Sequence, residues 1–136
     1  MSIRRALGYL GALPVSAVAA AAVPLVAATG GRVRVRDGVL EAAGGLLEPL
    51  LTRGIRRFPI DAITLGHVVL AADTRALEES RAHERVHVAQ YERFGVLFPL
   101  LYAAASLRAI LRGGCAYRDN LFETEACLRS GEAEAA

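Results

Sequence analysis

The hydrophobic positions of this chain form two long apolar blocks, separated by segments of alternating or mixed polarity. The first block runs from Ala6 to Ala28 with almost no polar side chain, and two arginines precede it. About 23 apolar residues can cross a hydrocarbon core of roughly 30 Å as a helix. The pattern therefore predicts that residues 1–29 are either a retained membrane anchor or a cleaved signal peptide.

Length and flanking residues leave both interpretations of this segment open. The apolar region of a signal peptide usually spans about 7–15 residues, so this one is long, but the small residues near Thr29 suit a cleavage site. A buried core helix or an interfacial helix is a third interpretation, which the lack of a polar face disfavours. Arginines flank both ends of the segment, so its orientation in a membrane is not predicted.

The middle of the chain has the periodicity of short strands. Arginine and valine alternate from Arg32 onward, and Asp37-Gly38 supplies a turn signal, so residues 32–40 predict a half-exposed hairpin. Its arginines suit either a solvated strand face or contact with anionic lipid. A short helix is predicted at Leu46–Leu51, and the β-branched run Ile63–Ala71 predicts one buried or edge strand.

Three helical segments follow the strands. Asp73-Thr74 offers a helix cap, and Glu78–Arg93 has the pattern of a helix. Phe94–Leu111 is the second apolar block; Pro99 interrupts it, and it is too short for a comfortable membrane span, which favours a buried or membrane-hugging helix. Asn120 caps the last helix. We therefore expect residues 30–136 to form one α+β domain with a short antiparallel sheet.

Composition narrows the possible functions. The net charge is only +2, and the basic residues are all arginines scattered as singles and pairs, so a nucleic-acid partner is not expected. Hydrophobic residues make up 54% of the chain, which agrees with membrane contact. Two cysteines, Cys115 and Cys127, are too few for a disulfide scaffold, and unpaired buried thiols are favoured over a disulfide between them.

The chemistry is concentrated in the helix Glu78–Arg93, which contains an H-E-x-x-H pattern. His83 and His87 are four residues apart, so both imidazoles can reach one metal ion from the same helix face. Glu84 can then accept a proton from water that the metal activates. Such a site suits Zn²⁺, although two ordinary surface histidines on a charged helix are the alternative.

A catalytic zinc needs a third protein ligand, and the last helix offers two candidates. Glu123 and Glu125 are about 200° apart around a helix, so only one of them can face the metal. Glu123 also stands three residues after Asn120, where it could instead complete a capping box. The residues alone therefore leave the third ligand undecided.

The segments H-E-R-V-H and E-T-E-A together resemble the gluzincin class of zinc metallopeptidases. The wider run from Ile63 to Ala126 is similar to a group of short, uncharacterised bacterial zincin-like proteins. This resemblance implies a zincin-like fold for residues 30–136, with Glu123 as the third ligand and Glu125 in reserve. It also implies that the strand Ile63–Ala71 borders the cleft and pairs with an extended peptide substrate.

The chain departs from the pattern of this class at two positions. Leu121 replaces a proline that commonly follows the asparagine, which leaves the ligands unchanged. Cys127 stands where many gluzincins have an acidic residue that supports a histidine, so the orientation of that histidine needs another partner.

Four further residues near these motifs are candidates for supporting roles. Gln90 shares the face of the two histidines and can hydrogen bond an imidazole or a substrate, or it can have a purely structural role. Tyr91, Tyr102 and Tyr117 are phenols that could stabilise an oxyanion, with Tyr117 preferred and core packing favoured for Tyr102.

These patterns predict a membrane-associated zinc metallopeptidase that hydrolyses peptide bonds in a peptide or protein substrate, with Glu84 as general base. The alternative is a zinc-stabilised structural or regulatory module without turnover, because so small a domain can depend on a metal to fold. Membrane contact is expected through residues 6–28, or export if the segment is cleaved.

Overall fold

The computed structural model describes residues 2–53 and 60–132; residues 133–136, at the end of the expected domain, lie outside this range. The helices are α1 (Ile3–Ala28), α2 (Leu47–Arg53), α3 (Thr74–Phe94), α4 (Phe98–Leu111) and α5 (Leu121–Ser130), with a 3₁₀ turn at Gly95–Leu97. The strands are β1 (Arg32–Arg36), β2 (Val39–Ala43), β3 (Ala62–Leu65) and β4 (Val68–Ala71). The α+β class expected from the sequence is confirmed.

The four strands form one mixed sheet in the order β1-β2-β4-β3. The pairs β1–β2 and β3–β4 are antiparallel hairpins, while β2 and β4 run parallel, with Leu40 opposite Val68. The expectation of a purely antiparallel sheet is therefore wrong. The chain passes through α2 between the hairpins, and this connection lets the two inner strands align in parallel.

The segment Ile63–Ala71 was expected to be one strand, and this is also wrong. It contains most of β3 and all of β4, joined by a tight turn at Gly66-His67. Gly66 has a φ of 66°, a left-handed conformation that glycine adopts without steric cost. The turn makes β4 a central strand that is buried throughout.

Two helices cover the two faces of the sheet. On one face α1 contributes Ala19, Val23 and Val26 to a core with residues of β2, β4 and α2. On the other face α3 contributes Leu77 and Val88 to a second core. Burial on both faces explains why β4 is a continuous apolar run without alternation.

Glu41 of β2 connects the sheet to α3 through buried charge. Its carboxylate is 1% exposed and accepts hydrogen bonds from Arg34, Arg81 and Arg85 at 2.9–3.0 Å. A buried carboxylate is tolerated where it is paired and hydrogen bonded in this way. Of the β1 arginines, Arg34 thus forms an ion pair within the fold.

The helix ends follow their sequence signals. The Asp73 carboxylate accepts from the Ala76 N–H at 2.7 Å and starts α3 earlier than the apolar pattern suggested. Pro99 does not break the second apolar block, because it lies in the first turn of α4, where its missing N–H costs no helical hydrogen bond.

Helix α1 packs closely against the end of α3. A Cβ atom added to Gly8 would lie 2.9 Å from the Glu92 Cβ. The Tyr9 hydroxyl donates to the Gly38 carbonyl at 3.0 Å, and the Tyr9 ring stacks on His67 with centroids 3.7 Å apart. The segment is therefore part of the packed domain.

This packing predicts an unusual response to alanine substitution. Replacing glycine within a helix usually stabilises it by about 0.5–1 kcal/mol. We expect Gly8→Ala instead to lower the free energy of unfolding by about 1–2 kcal/mol, because overpacking against Glu92 outweighs that gain. Gly11→Ala is the control, since its added Cβ would meet Gly95 at an ordinary 3.4 Å. Equal stabilisation of both variants in denaturant unfolding would contradict the described packing.

Candidate metal centre

The two histidines of the H-E-x-x-H pattern lie on the inner face of α3. Both are buried, at 6% and 7% exposure, so they are not surface residues. The Nε2 atoms of His83 and His87 approach to 3.1 Å, and the ring centroids are 4.9 Å apart. The helical spacing therefore directs both Nε2 atoms to one point.

Glu123 of α5 reaches the same point. Its Oε2 lies 2.9 Å from His83 Nε2, and its Oε1 lies 3.3 Å from His87 Nε2. The capping-box alternative is not formed, because the Asn120 N–H donates to the Tyr117 carbonyl. Asn120 still caps α5 by accepting from the Phe122 N–H at 2.9 Å.

Glu125 points elsewhere. Its Oε2 accepts a hydrogen bond of 2.8 Å from Gln90 Nε2, and its Oε1 lies 3.4 Å from an Arg129 nitrogen. The donor atoms of His83, His87 and Glu123, in contrast, all lie within 4.8 Å of one another. Among the described glutamates of α5, Glu123 is thus the one placed to share an ion with both imidazoles.

Gln90 fixes the orientation of His87. Its amide nitrogen donates to Glu125 and to the Phe122 carbonyl, so its amide oxygen faces His87 Nδ1 at 2.8 Å and accepts that N–H. This contact leaves the Nε2 lone pair directed inward. A carbonyl or carboxylate behind a metal-ligating imidazole commonly has this role.

Glu132 performs the matching role for His83. Its Oε2 lies 3.1 Å from His83 Nδ1 and accepts that N–H. Cys127, at the position where the resemblance led us to expect an acidic residue, has its Sγ 4.0 Å from the same nitrogen. Support for His83 therefore comes from an acidic residue five positions further along the chain.

The cluster attracts positive charge. Burial acts to lower the pKa of His83, but the hydrogen bond and charge of Glu123 outweigh it and raise the pKa to about 9. Burial acts to raise the pKa of Glu123, but hydrogen bonds from His83 and His87 hold it well below its usual range. Two inward Nε2 lone pairs and a carboxylate repel one another unless a cation, either a proton or a metal ion, lies among them.

The donor set fits a divalent metal ion of the zinc type. Zn²⁺ binds imidazole nitrogen and carboxylate oxygen, and three protein ligands are typical of its catalytic sites. A second group, formed by His83 Nδ1, Cys127 and Glu132, also has donor atoms within 4.8 Å of one another. That group shares His83 with the first and is partly exposed, so the buried group is the stronger candidate.

Glu84 lies beside the cluster and is buried. Its Oε2 accepts a hydrogen bond of 2.5 Å from the Thr64 hydroxyl of β3. Burial raises the pKa of Glu84, and the Thr64 hydrogen bond opposes this shift. Thr64 was missed in the sequence, although a polar residue between Ile63 and Leu65 in a buried strand is a signal for such a contact.

The tyrosine side chains lie in different environments from those expected from the sequence. Tyr102, assigned to core packing, donates to Glu123 Oε1 at 2.6 Å. Tyr117, the preferred candidate, is half exposed, and burial together with the Glu123 charge raises its pKa. Tyr91 packs against Phe98, and burial raises its pKa to about 12.

The two cysteines were expected to be buried. Cys115 and Cys127 are instead thiols of intermediate exposure.

The two glutamates of α5 should respond differently to substitution. Glu123→Gln removes a charged donor from the cluster, so we expect Zn²⁺ affinity to fall by more than the 10–100-fold typical of losing an outer contact. Glu125→Gln keeps an oxygen that can accept from Gln90, so affinity should change little. Competition titration with a chromogenic chelator measures both variants, and the reverse order would move the ligand to Glu125.

No model of a known protein family matches this chain, and no curated protein or solved structure matches it either. The likeness to gluzincins remains a prediction from the motifs. We therefore infer the function of this chain from the geometry of the site.

Proposed function

We propose that this protein is a membrane-associated zinc metallopeptidase, in which His83, His87 and Glu123 hold the metal and Glu84 is the general base. The observation that carries the proposal is the convergence of two imidazole Nε2 atoms and one carboxylate within 4.8 Å. The supporting contacts of Gln90 and Glu132 strengthen it, because they direct both nitrogens inward.

A bound zinc ion would supply Lewis acidity, which polarises a scissile carbonyl and acidifies water. Glu84 is positioned by the Thr64 hydroxyl at Oε2, which leaves Oε1 to accept a proton from the attacking water. After accepting that proton, Glu84 could deliver it to the leaving amine.

Two tyrosines have separable roles in this proposal. Tyr102 holds the Glu123 carboxylate through its 2.6 Å hydrogen bond and so limits the rotation of that ligand. Tyr117 is half exposed, and its hydroxyl, like that of any tyrosine of ordinary or raised pKa, is protonated at neutral pH. A protonated phenol at this position could donate to the oxyanion that develops during peptide hydrolysis.

The substrate is proposed to bind along β3. This strand pairs with β4 on one side and lies at the edge of the described sheet. Thr64 places β3 directly beside Glu84. An extended peptide that adds to the free edge would therefore run past the general base.

Membrane association is proposed through the N-terminal helix. Helix α1 has 26 residues and is long and apolar enough to cross a membrane by length and composition. A core helix or a signal peptide can have the same length and composition, and what distinguishes α1 is its exposed face.

A zinc-stabilised module without turnover is the second candidate. The cluster connects α3 to α5, and Tyr102 of α4 contacts the same Glu123 carboxylate. A metal ion there would therefore stabilise the packing of all three helices. Such stabilisation needs His83, His87 and Glu123 but does not need Glu84.

Substitution of Glu84 distinguishes the two functions. We expect Glu84→Gln to retain zinc and thermal stability but to lose peptide hydrolysis by at least about 100-fold, the scale of general-base catalysis. Elemental analysis and a protease assay on an unfolded protein substrate measure the two effects. Glu79→Gln, on the exposed side of α3, is the matched control and should behave as wild type.

The metal assignment has its own control in the same experiment. A His83→Ala/His87→Ala variant should lose zinc, and full zinc loading of this variant would refute the proposed site. If wild type binds zinc but hydrolyses nothing, and Glu84→Gln changes nothing measurable, the module is the function that remains.

A further inference from the structure

Helix α1 has an exposed face that is apolar along its whole length. Rotation by 100° per residue places its exposed large side chains on one side, and each is more than half exposed. We call them the exposed stripe: Ile3, Leu7, Leu10, Leu13, Val18 and Leu25. Residues 6–28 carry no charge, and their polar side chains, Tyr9 and Ser16, face the domain instead of the stripe. A surface helix of a water-soluble domain normally places its polar side outward.

The opposite face of α1 contacts polar parts of the domain from its first turns to its end. Gly8 lies against Glu92, and Tyr9 hydrogen bonds the β1–β2 turn. The Ser16 hydroxyl accepts from the His67 N–H at 2.9 Å, and Thr29 accepts from the Leu46 N–H at 3.0 Å. These contacts are spaced along the length of α1, and each of them joins α1 to a turn or to the charged helix α3.

These contacts are incompatible with a helix that crosses the bilayer while the domain stays folded. A spanning α1 would carry Glu92, His67 and the polar turns into the hydrocarbon core, where unpaired charges and peptide groups are costly. Cleavage after residue 28 would be equally disruptive. It would remove Ala12 and Val26, both fully buried, and uncover the apolar face of the sheet.

The apolar surface continues beyond α1. The backbone of Gly11 contacts Gly95, and the next residues of that turn, Val96 and Leu97, are exposed. In helix α4, which follows this turn, Tyr102 and the buried residues face inward. Its outward face carries Leu100, Leu107, Ile110 and Leu111, all exposed. The turn Gly95–Leu97 and the outer face of α4 thus extend the apolar surface that begins with the exposed stripe. The inner face of the same helix carries Tyr102, which contacts the metal centre.

We propose that α1 is retained and lies in the plane of the membrane surface, with the exposed stripe and the outer face of α4 against lipid. The inference builds on the membrane association proposed above, but on neither the metal nor hydrolysis. At 1.5 Å per residue the stripe, from Ile3 to Leu25, is about 33 Å long. It consists of aliphatic side chains without hydrogen-bonding groups, which suits lipid better than a protein partner. Arg4, at one end and beside the stripe, is exposed and suits anionic head groups.

Labelling of the two helix ends tests the topology. Single cysteines replace Arg4 or Arg32 in a full-length Cys115→Ser/Cys127→Ser background, and sealed membranes from producing cells receive an impermeant maleimide. An in-plane helix leaves both ends on one side, so both sites react, or fail to react, together before detergent is added. Reaction of one site alone would establish a spanning helix and overturn the proposal.

Intact mass from the same membranes tests retention. A chain that has lost residues 1–28 would establish a cleaved signal and overturn the proposal. Recovery only in the soluble fraction would overturn membrane association as a whole, while zinc content and the Glu84→Gln result would stand unaffected.

Vesicle binding tests which side chains face lipid. Purified wild type is mixed with phosphatidylglycerol–phosphatidylcholine vesicles, and we expect Leu7→Gln/Leu10→Gln to bind at least about tenfold more weakly, because two aliphatic contacts are lost. Val35→Gln/Leu50→Gln changes two exposed residues outside the stripe and should bind as wild type. Equal binding by both double variants, with unchanged circular dichroism, would refute the assigned surface.

Discussion

The contact of Glu123 with two imidazoles of α3 determines how the second half of the chain is arranged. Through this carboxylate α5 meets α3, and Tyr102 brings α4 to the same atoms. Around it, Gln90 and Glu132 bind the outer nitrogens, so every polar atom of the centre has a defined partner. The arrangement brings several donor groups into a small buried volume, and only a cation makes their proximity favourable.

The local part of this centre was predictable from the sequence. Helical spacing alone places His83 and His87 on one face, and the 200° separation of Glu123 and Glu125 correctly implied that only one of them faces the histidines. Thr64 and Glu132 were not found, and Tyr102 was assigned to core packing and not to a contact with Glu123. Their partners are 20 to 49 residues away, and no periodicity indicates which distant elements meet.

The fold shows the same division between local and distant information. Hairpin β1–β2 and the capped starts of α3 and α5 followed from turn and cap residues. The parallel pairing of β2 with β4 did not, because it depends on a crossover and not on either strand. For α1, hydropathy identified the helix but not its buried side. The small residues Gly8, Ala12 and Ala19 recur on one face and were an available signal.

The long sequence separation between α1 and its partner also affects synthesis. Gly95 follows Gly11 by 84 positions, so the helix leaves the ribosome well before the turn against which it packs. At about 5–20 residues per second, α1 waits roughly 4–17 s for that partner. During this interval the exposed stripe and the helix surface around Gly11 are apolar and uncovered. A lipid surface that receives one side early would shield the nascent helix from aggregation until the other side meets the domain.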